Sequence, residues 1–297
     1  MAEAGKAIYD IPMWINAWIV EEPNYRPGPW RVYPSGGPVS KVLDIYKWFT
    51  PHVDFIVPDI HVTHSSGYES ACISYARDDN PLFEGESAPS TQGMFRAIAD
   101  YNSIGYFCGP LEHIVAEDGS VRPELQIMVD SVRSIAAAVP LLLKYQGTGK
   151  VHSITQEEYM PEQWLDFDGY IGQIQFGDGW GRHAGKDWYH TSGQNLFIEY
   201  PTSPNRGRGL VIQASKDEFC LVGVNYRLFL RPKFSPDKTP PLLFYNDFTT
   251  GRRLGVDEGH FDQNGEFVID RRRNGDEIDN GVWVEPDTGV VRVMLCD

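Results

Sequence analysis

The sequence predicts an α/β region followed by an all-β region. Up to about residue 150, short apolar segments of strand length alternate with stretches whose apolar residues recur at helical spacing. Beyond that point the helical periodicity disappears, and short apolar runs alternate with turn signals such as Asn274-Gly275. The 297 residues are therefore expected to form an α/β domain at 1–150 and a β-rich domain at 151–297.

The first half is predicted to contain four strands, each followed by a helix. The strands are expected at residues 13–19, 53–60, 81–86 and 104–108, and the helices at residues 38–50, 66–77, 91–101 and 124–139. The last helix should end at Pro140, because proline lacks the N–H that continues a helix. This alternation implies a parallel sheet, as half of a (β/α)8 barrel or as a small open sheet.

The second half is predicted to be a series of short strands. They are expected at residues 170–176, 195–200, 209–215, 218–224, 226–232, 241–250, 267–273, 281–286 and 289–296. Many short strands at this spacing are typical of a β-sandwich or jelly roll. The triple arginine 271–273 precedes the turn signal Asn274-Gly275 and two acidic residues, so we expect a solvated hairpin with local ion pairs rather than an anion-binding patch.

Composition and charge exclude several classes of partner. A formal net charge of −15 argues against binding to nucleic acid or to an anionic membrane surface. No apolar run approaches the ~18 residues of a membrane span, and the first residues lack the pattern of a signal peptide. The four cysteines are scattered and form no CxxC pair, which favours an intracellular, reduced protein, although the sequence leaves the location open.

Polar and aromatic residues gather at the predicted carboxyl ends of the first-half strands, where parallel α/β folds place their sites. These candidates are Asn16, Trp18, Asp59, His61, Glu86 and Glu112. Carboxylates and amides hydrogen-bond sugar hydroxyls, and an indole covers the apolar face of a sugar ring. The plainer alternatives are a helix N-cap or solvated loop for the acids and a core position for the indole. Asn16 lies inside an apolar strand, so we expect a buried amide that needs partners.

A metal or cofactor site is not expected from the spacing. His52, His61 and His64 are close in sequence, but they match no HExxH motif and no histidine pair with partnering cysteines. The chain also lacks the glycine-rich motifs that bind dinucleotides or nucleotide phosphates after a strand. We therefore expect no metal and no cofactor.

Several segments together resemble a known family. The stretches EAGKAIYDIPMWINAW, YPSGGPVSKVLDIYKWFTPHVDFIVPDI, DNPLFEGES and SIGYFCGPLE follow one another in the first half. GRGLVIQASKDEFCLVGV and VDEGHFDQNGEFVIDRRRNGDE follow in the second. In this order they resemble glycoside hydrolase family 35, in the β-galactosidase-like branch whose barrel precedes a β-rich domain of unknown function. The resemblance covers nearly the whole chain.

The resemblance implies a fold and a mechanism. It implies that the four strands are the last four of a (β/α)8 barrel, with a β-sandwich or jelly-roll-like domain after them. It also implies a retaining hydrolase of β-galactosides that uses no cofactor, with Glu86 as the nucleophile. The family's acid/base is a Glu that follows an Asn on the fourth strand. No Asn-Glu pair occurs in this sequence, so that segment is expected upstream of Met1.

Two other interpretations remain open. The chain could be a carbohydrate-binding or interaction protein without catalysis, with Trp180, Trp188 and Tyr189 of the DGWGRHAGKDWYH segment at its binding surface. It could also be a truncated fragment with no independent function. If the barrel interpretation holds, the half-barrel has open sheet edges, which a second chain or a second copy would close.

Overall fold

The fold was determined from a computed structural model of the chain. The described residues are 1–19, 37–62, 65–87, 91–108, 114–157, 162–176, 206–233, 253–279, 281–285 and 287–296. The strands predicted at 195–200 and 241–250 lie outside these ranges. Where the described residues allow a comparison, the α/β plus all-β class is confirmed.

The chain divides into two compact units, Met1–Arg122 and Pro123–Asp297. This boundary lies before the long helix at residues 126–145, whereas the sequence placed it near residue 150, after that helix. The reason is packing, because the helix lies against strands of the second unit at residues 208–215 and 218–224. Proximity in sequence to the α/β elements did not decide where the helix docks.

The first unit is an α/β unit with a parallel sheet. Its helices are α1 (Ala2–Ile8), α2 (Leu43–Phe49), α3 (Ser65–Tyr75) and α4 (Thr91–Asp100), and its strands are β1 (Trp14–Trp18), β2 (Phe55–Ile60), β3 (Glu84–Ser87) and β4 (Tyr106–Cys108). The sheet order is β1-β2-β3-β4, and all three pairings are parallel. The four predicted strands therefore lie side by side in the sheet, in the order in which they follow one another along the chain.

The sheet of the first unit has a packed face and a more open face. Ile56 and Ile60 of β2 join Leu43, Tyr68 and Ala71 from the helices in one buried cluster. The opposite face carries alternate residues of β1, which are exposed (Trp14, Asn16 and Trp18). Alternation along β1 therefore sends its aromatic and amide side chains away from the helices.

A buried asparagine fixes β2 against the chain that follows α3. The Asn80 side-chain oxygen accepts a hydrogen bond from the backbone N–H of Ile56, and its amide group donates to the carbonyls of Ile56 and Tyr75. All of these groups are buried, so each bond forms without competition from water. The amino end of β2 is held in place by this contact.

The second unit is β-rich and carries one long helix. Its elements are α5 (Gln126–Tyr145), β5 (Val151–Thr155), β6 (Glu162–Asp166), β7 (Tyr170–Phe176), β8 (Arg208–Ser215), β9 (Glu218–Val224), β10 (Tyr226–Pro232), β11 (Arg253–Phe261), β12 (Phe267–Arg273), α6 (Asp276–Asp279), β13 (Val282–Val284) and β14 (Val290–Leu295). Among the described residues they form two antiparallel sheets, β13-β10-β7-β6 and β12-β11-β14-β9-β8-β5. Side chains from both sheets, including Ile174, Leu221 and Leu228, share one buried core.

Helix α5 does not end at Pro140, so that prediction is wrong. The helix continues to Tyr145, and Leu141 and Leu142 beyond the proline are buried. Burial of these side chains against the sheet outweighs the loss of one backbone hydrogen bond. The resulting 20-residue helix is long and apolar enough to cross a membrane by length and composition alone, a property that core helices of soluble proteins also have. A third of that apolar window is buried within the protein.

Strand β11 was not predicted, because it carries acidic residues and glycines. Its Asp257 has no exposed surface and accepts hydrogen bonds from Arg272 and Arg292 on the two neighbouring strands. Glu258 pairs with Arg271 and with the buried Arg273. The predicted local ion pairs of the arginine run are present, but most of them cross between strands and hold the sheet together.

Candidate functional site

The first three strands bring the candidate residues to one level of the sheet. Trp18 of β1 lies opposite Asp59 of β2, and Asp59 lies opposite Glu86 of β3. His61 follows the end of β2, and Asn16 lies two residues before Trp18. The predicted convergence of these five residues at the carboxyl ends of the strands is therefore observed. Glu112, the sixth candidate, lies outside the described residues.

The backbone of β3 is shaped to expose Glu86. The register between β3 and β4 shifts between Glu84 and Ser87. As a result, two glutamates only two residues apart lie in different environments, with Glu84 fully buried and Glu86 exposed. Gly85 lies between them, and a Cβ there would come within 2.5 Å of a methyl carbon of Val57. A glycine is therefore needed for β3 to lie this close to β2.

Glu86 is oriented by its neighbours on both carboxylate oxygens. The amide of Asn16 donates a hydrogen bond to Oε2 of Glu86 at 3.0 Å. The Nε2 atom of His61 lies 3.5 Å from Oε1 of Glu86 and 2.7 Å from Oδ1 of Asp59. The Glu86 side chain is 49% exposed and that of Asp59 16% exposed. Glu86 is thus a positioned carboxylate that solvent or a ligand can reach.

Asp59 is the most enclosed member of the group. Burial raises its pKa; the neighbouring His61 works in the opposite direction, and the Glu86 carboxylate raises it further. Its Oδ1 atom is buried and accepts no hydrogen bond from the described part of the chain, although His61 Nε2 is close. The two side chains are therefore in contact without satisfying each other.

Glu84 has a separate environment from Glu86. The Tyr68 hydroxyl donates to its Oε1 at 2.5 Å, and the Ser87 hydroxyl donates to its Oε2 at 2.8 Å. Burial raises the pKa of Glu84 to about 7, against the effect of these two hydrogen bonds. This difference could not be predicted from the sequence, since the segment EGES places both glutamates in one short polar run.

The remaining sequence candidates are placed as follows. Asn16 is exposed rather than buried, because it lies on the open face of β1. Trp18 is 47% exposed, so it is not a core residue, and its indole is available beside the polar group. His52 lies near Glu3, 3.9 Å from its carboxylate, and not with His61. His64, Trp180, Trp188 and Tyr189 lie outside the described residues.

A cluster of potential metal ligands was missed by the sequence analysis. Asp59, His61 and Glu86 each offer one ligand atom, and these atoms lie within 4.8 Å of one another. Sequence spacing could not reveal this group, because Glu86 comes from a different strand and joins the other two only through sheet pairing. The expectation of no metal site therefore rested on motif spacing alone.

Part of the chain matches the model of a known protein family. Residues 133–285 match the model of the family described as Domain of unknown function (DUF5597). This segment is slightly more than half of the chain and begins within α5. No curated protein matches the chain.

Proposed function

This chain belongs to the family described as Domain of unknown function (DUF5597), and we propose that its α/β unit supplies the nucleophile site of a retaining, β-galactosidase-type glycoside hydrolase. The observation that carries this proposal is the exposed Glu86 carboxylate, held by Asn16 at the carboxyl end of a parallel strand. The half-exposed indole of Trp18 lies at the same level of the sheet and offers an apolar surface to a sugar ring.

We also propose that the first unit is half of a (β/α)8 barrel. Four parallel strands in sequential order, with a helix after each of the first three, fit the last four units of a (β/α)8 barrel. The β-rich unit is proposed as the sandwich or jelly-roll-like domain that follows. The open face of such a half-barrel must be covered by further protein, such as an upstream segment, a second chain or a second copy, since parallel sheets are normally buried on both sides.

In the proposed reaction, Glu86 attacks the anomeric carbon of a β-galactoside. A bond forms between a carboxylate oxygen of Glu86 and that carbon, and the bond to the leaving oxygen breaks with its electron pair. The amide of Asn16 holds the other oxygen and so fixes the direction of attack. Water then cleaves the glycosyl ester, which releases galactose and restores the carboxylate.

The leaving oxygen also needs a proton from a second carboxyl group. The chain has no Asn-Glu pair at which to place it by resemblance. Glu84 is not assigned this role, because its carboxyl group hydrogen-bonds with Tyr68 and Ser87 in the interior. Without general acid catalysis, a leaving group that needs protonation reacts about 10²–10⁴-fold more slowly. The nucleophile is therefore best tested with a substrate that needs no acid.

A sugar-binding role without catalysis is the second candidate. It is favoured by the exposed Trp18 and Asn16 in a chain that lacks an assigned acid/base. Binding would use the same surface, so the two functions differ only in whether Glu86 becomes glycosylated.

The deciding experiment is covalent trapping with a 2-deoxy-2-fluoro-β-galactoside that carries a dinitrophenyl leaving group. We expect a fluorogalactosyl adduct on the peptide that contains Glu86, because this leaving group departs without protonation. Substitution of Asn16 by alanine should slow labelling by about 10- to 100-fold, since a hydrogen bond to a charged group contributes about 1.5–3 kcal/mol.

The matched variants are Glu86→Gln, which should not be labelled, and Glu3→Gln, which removes an exposed carboxylate of the same unit and should be labelled normally. Circular dichroism establishes that each variant is folded. A folded wild-type chain that binds galactose but gains no adduct would support the sugar-binding role instead. An adduct that persists in Glu86→Gln would overturn the assignment of the nucleophile.

A further inference from the structure

The cluster of Asp59, His61 and Glu86 has the composition and spacing of a metal site. It offers one imidazole nitrogen and two carboxylate oxygens, from two neighbouring strands. Tetrahedral Zn²⁺ with bonds of about 2.0–2.1 Å has ligand atoms about 3.3 Å apart. His61 Nε2 and Glu86 Oε1 lie 3.5 Å apart, close to this value, and the 2.7 Å contact between Asp59 and His61 would have to lengthen by about half an ångström to hold the same ion.

A second observation concerns the buried oxygen of Asp59. Its Oδ1 atom is enclosed and accepts no hydrogen bond from the described residues, although an imidazole nitrogen lies 2.7 Å away. A buried polar atom without a partner costs free energy. A cation between Asp59 and His61 would supply a partner for this oxygen, and Nε2 of a neutral His61 that carries its proton on Nδ1 would bind the same cation through its lone pair.

The second unit contains a pair that serves as a comparison. His260 and Asp270 lie on adjacent strands, and Nδ1 of His260 forms an aligned hydrogen bond with Asp270 at 2.9 Å. These two side chains are about as exposed as His61, and no third ligand of the described residues joins them. His260 and Asp270 therefore form a hydrogen bond with each other, whereas Asp59 and His61 at the end of β2 do not.

The arrangement around Glu86 also suits a metal. Asn16 donates to Oε2 of Glu86, which leaves Oε1 directed towards His61. A neighbour that fixes the orientation of a ligand is a common feature of metal sites and commonly contributes 10–100-fold to metal affinity. Three protein ligands with an open fourth position are typical of a zinc site that also binds a small molecule or water.

We propose that Oδ1 of Asp59, Nε2 of His61 and Oε1 of Glu86 bind one divalent transition-metal ion of the zinc class. The metal site stands independently of the glycosidase proposal. One consequence rests on that proposal: a metal on Oε1 occupies the nucleophile, so metal and activated glycoside compete for Glu86. Imidazole with carboxylate is a ligand set that favours Zn²⁺ over Mg²⁺ or Ca²⁺, which prefer oxygen ligands alone.

The test is calorimetric titration of the EDTA-treated full chain with Zn²⁺, together with the visible absorption spectrum of the Co²⁺ form. We expect one tight site per chain, loss of at least about tenfold in affinity in Asp59→Asn and His61→Ala, and no change in His260→Ala. His61 is exposed, so its removal should leave the fold intact, which circular dichroism verifies. Equal Zn²⁺ affinity in the wild type and both ligand variants, or no binding by the wild type, would overturn the site.

The competition is tested separately from the site. Saturating Zn²⁺ should prevent labelling of Glu86 by the fluorogalactoside, and EDTA should restore it. Zn²⁺ binding that depends on His61, in a chain that is never labelled, would uphold the metal site while the glycosidase proposal fails. Labelling that proceeds unchanged at saturating Zn²⁺ would show that Glu86 is not a ligand and would overturn the three-residue site.

Discussion

Substitution of Gly223 by alanine is expected to lower the free energy of unfolding of the β-rich unit by roughly 3–5 kcal/mol. Gly223 lies on β9 opposite Gly209 of β8, with a φ of +133° that side chains disfavour. A Cβ there would lie 2.1 Å from the carbonyl oxygen of Arg208 and 2.5 Å from the Cα of Gly209. Both are backbone atoms of the paired strand, so the clash is relieved only by separating the strands.

The site of this clash is at the centre of the unit. Tyr226 is fully buried, and its hydroxyl lies 3.0 Å from the carbonyl oxygens of Leu210 and Val222 and donates to one of them at a time. Separation of β8 and β9 would break this link as well as the backbone hydrogen bonds. Hydrogen exchange of the β8 and β9 peptides, together with urea unfolding, measures the loss.

Gly265 provides the control. It has a φ of +79°, but a Cβ there would meet nothing within 4 Å. Gly265→Ala therefore carries backbone strain without a clash and should cost about 1–2 kcal/mol. Equal losses in the two variants would contradict the close approach of β8 and β9 and would reduce the effect at Gly223 to backbone strain.

Substitution of Glu84 by glutamine is expected to remove most of a pH dependence in the stability of the α/β unit. Burial raises the pKa of Glu84 from its ordinary value of 4.5 to about 7 in the folded chain. The folded state therefore binds a proton more tightly than the unfolded state does. The contribution of Glu84 to stability is therefore largest below about pH 4.5 and falls as the pH rises through about 7, by about 3 kcal/mol in total.

Glutamine is neutral and keeps an oxygen that accepts the hydrogen bond from Tyr68. Glu84→Gln should therefore be more stable than the wild type at pH 8, by up to about 3 kcal/mol, and similar to it at pH 4.5. The measurement is hydrogen exchange of the β2 and β3 peptides at both pH values. Glu3→Gln, at an exposed position, is the control, and its stability should change with pH as that of the wild type does. If the stability of Glu84→Gln still falls between pH 4.5 and pH 8 as it does in the wild type, a group other than Glu84 causes the pH dependence.

The local pattern of the sequence predicts most of the first unit correctly. Apolar runs and helical periodicity located the strands and helices, because short-range burial preferences decide these elements. The rule that sites lie at the carboxyl ends of parallel strands also brought Asn16, Asp59 and Glu86 together before their geometry was known. The remaining errors in this half are helix α1, which was not predicted, and the exposure of Asn16, which was expected to be buried.

The second unit shows where local pattern fails. β11 was missed because Asp257 and Glu258 read as a solvated loop, and they become strand residues only when arginines of neighbouring strands neutralise them. Pro140 was expected to end α5, but burial of Leu141 and Leu142 extends the helix. In both cases partners distant in sequence supply a free energy that the local signal does not contain.

The sequence by itself therefore determined the α/β plus all-β class, the positions of the strands in the first half and the strand ends that carry the candidate site. Only the tertiary structure decided that Glu84 is buried while Glu86 is exposed, and that His61 meets Asp59 and Glu86. The physical reason is that strand pairing and the register shift in β3 set these distances, and both depend on neighbouring strands rather than on the residues adjacent in the chain.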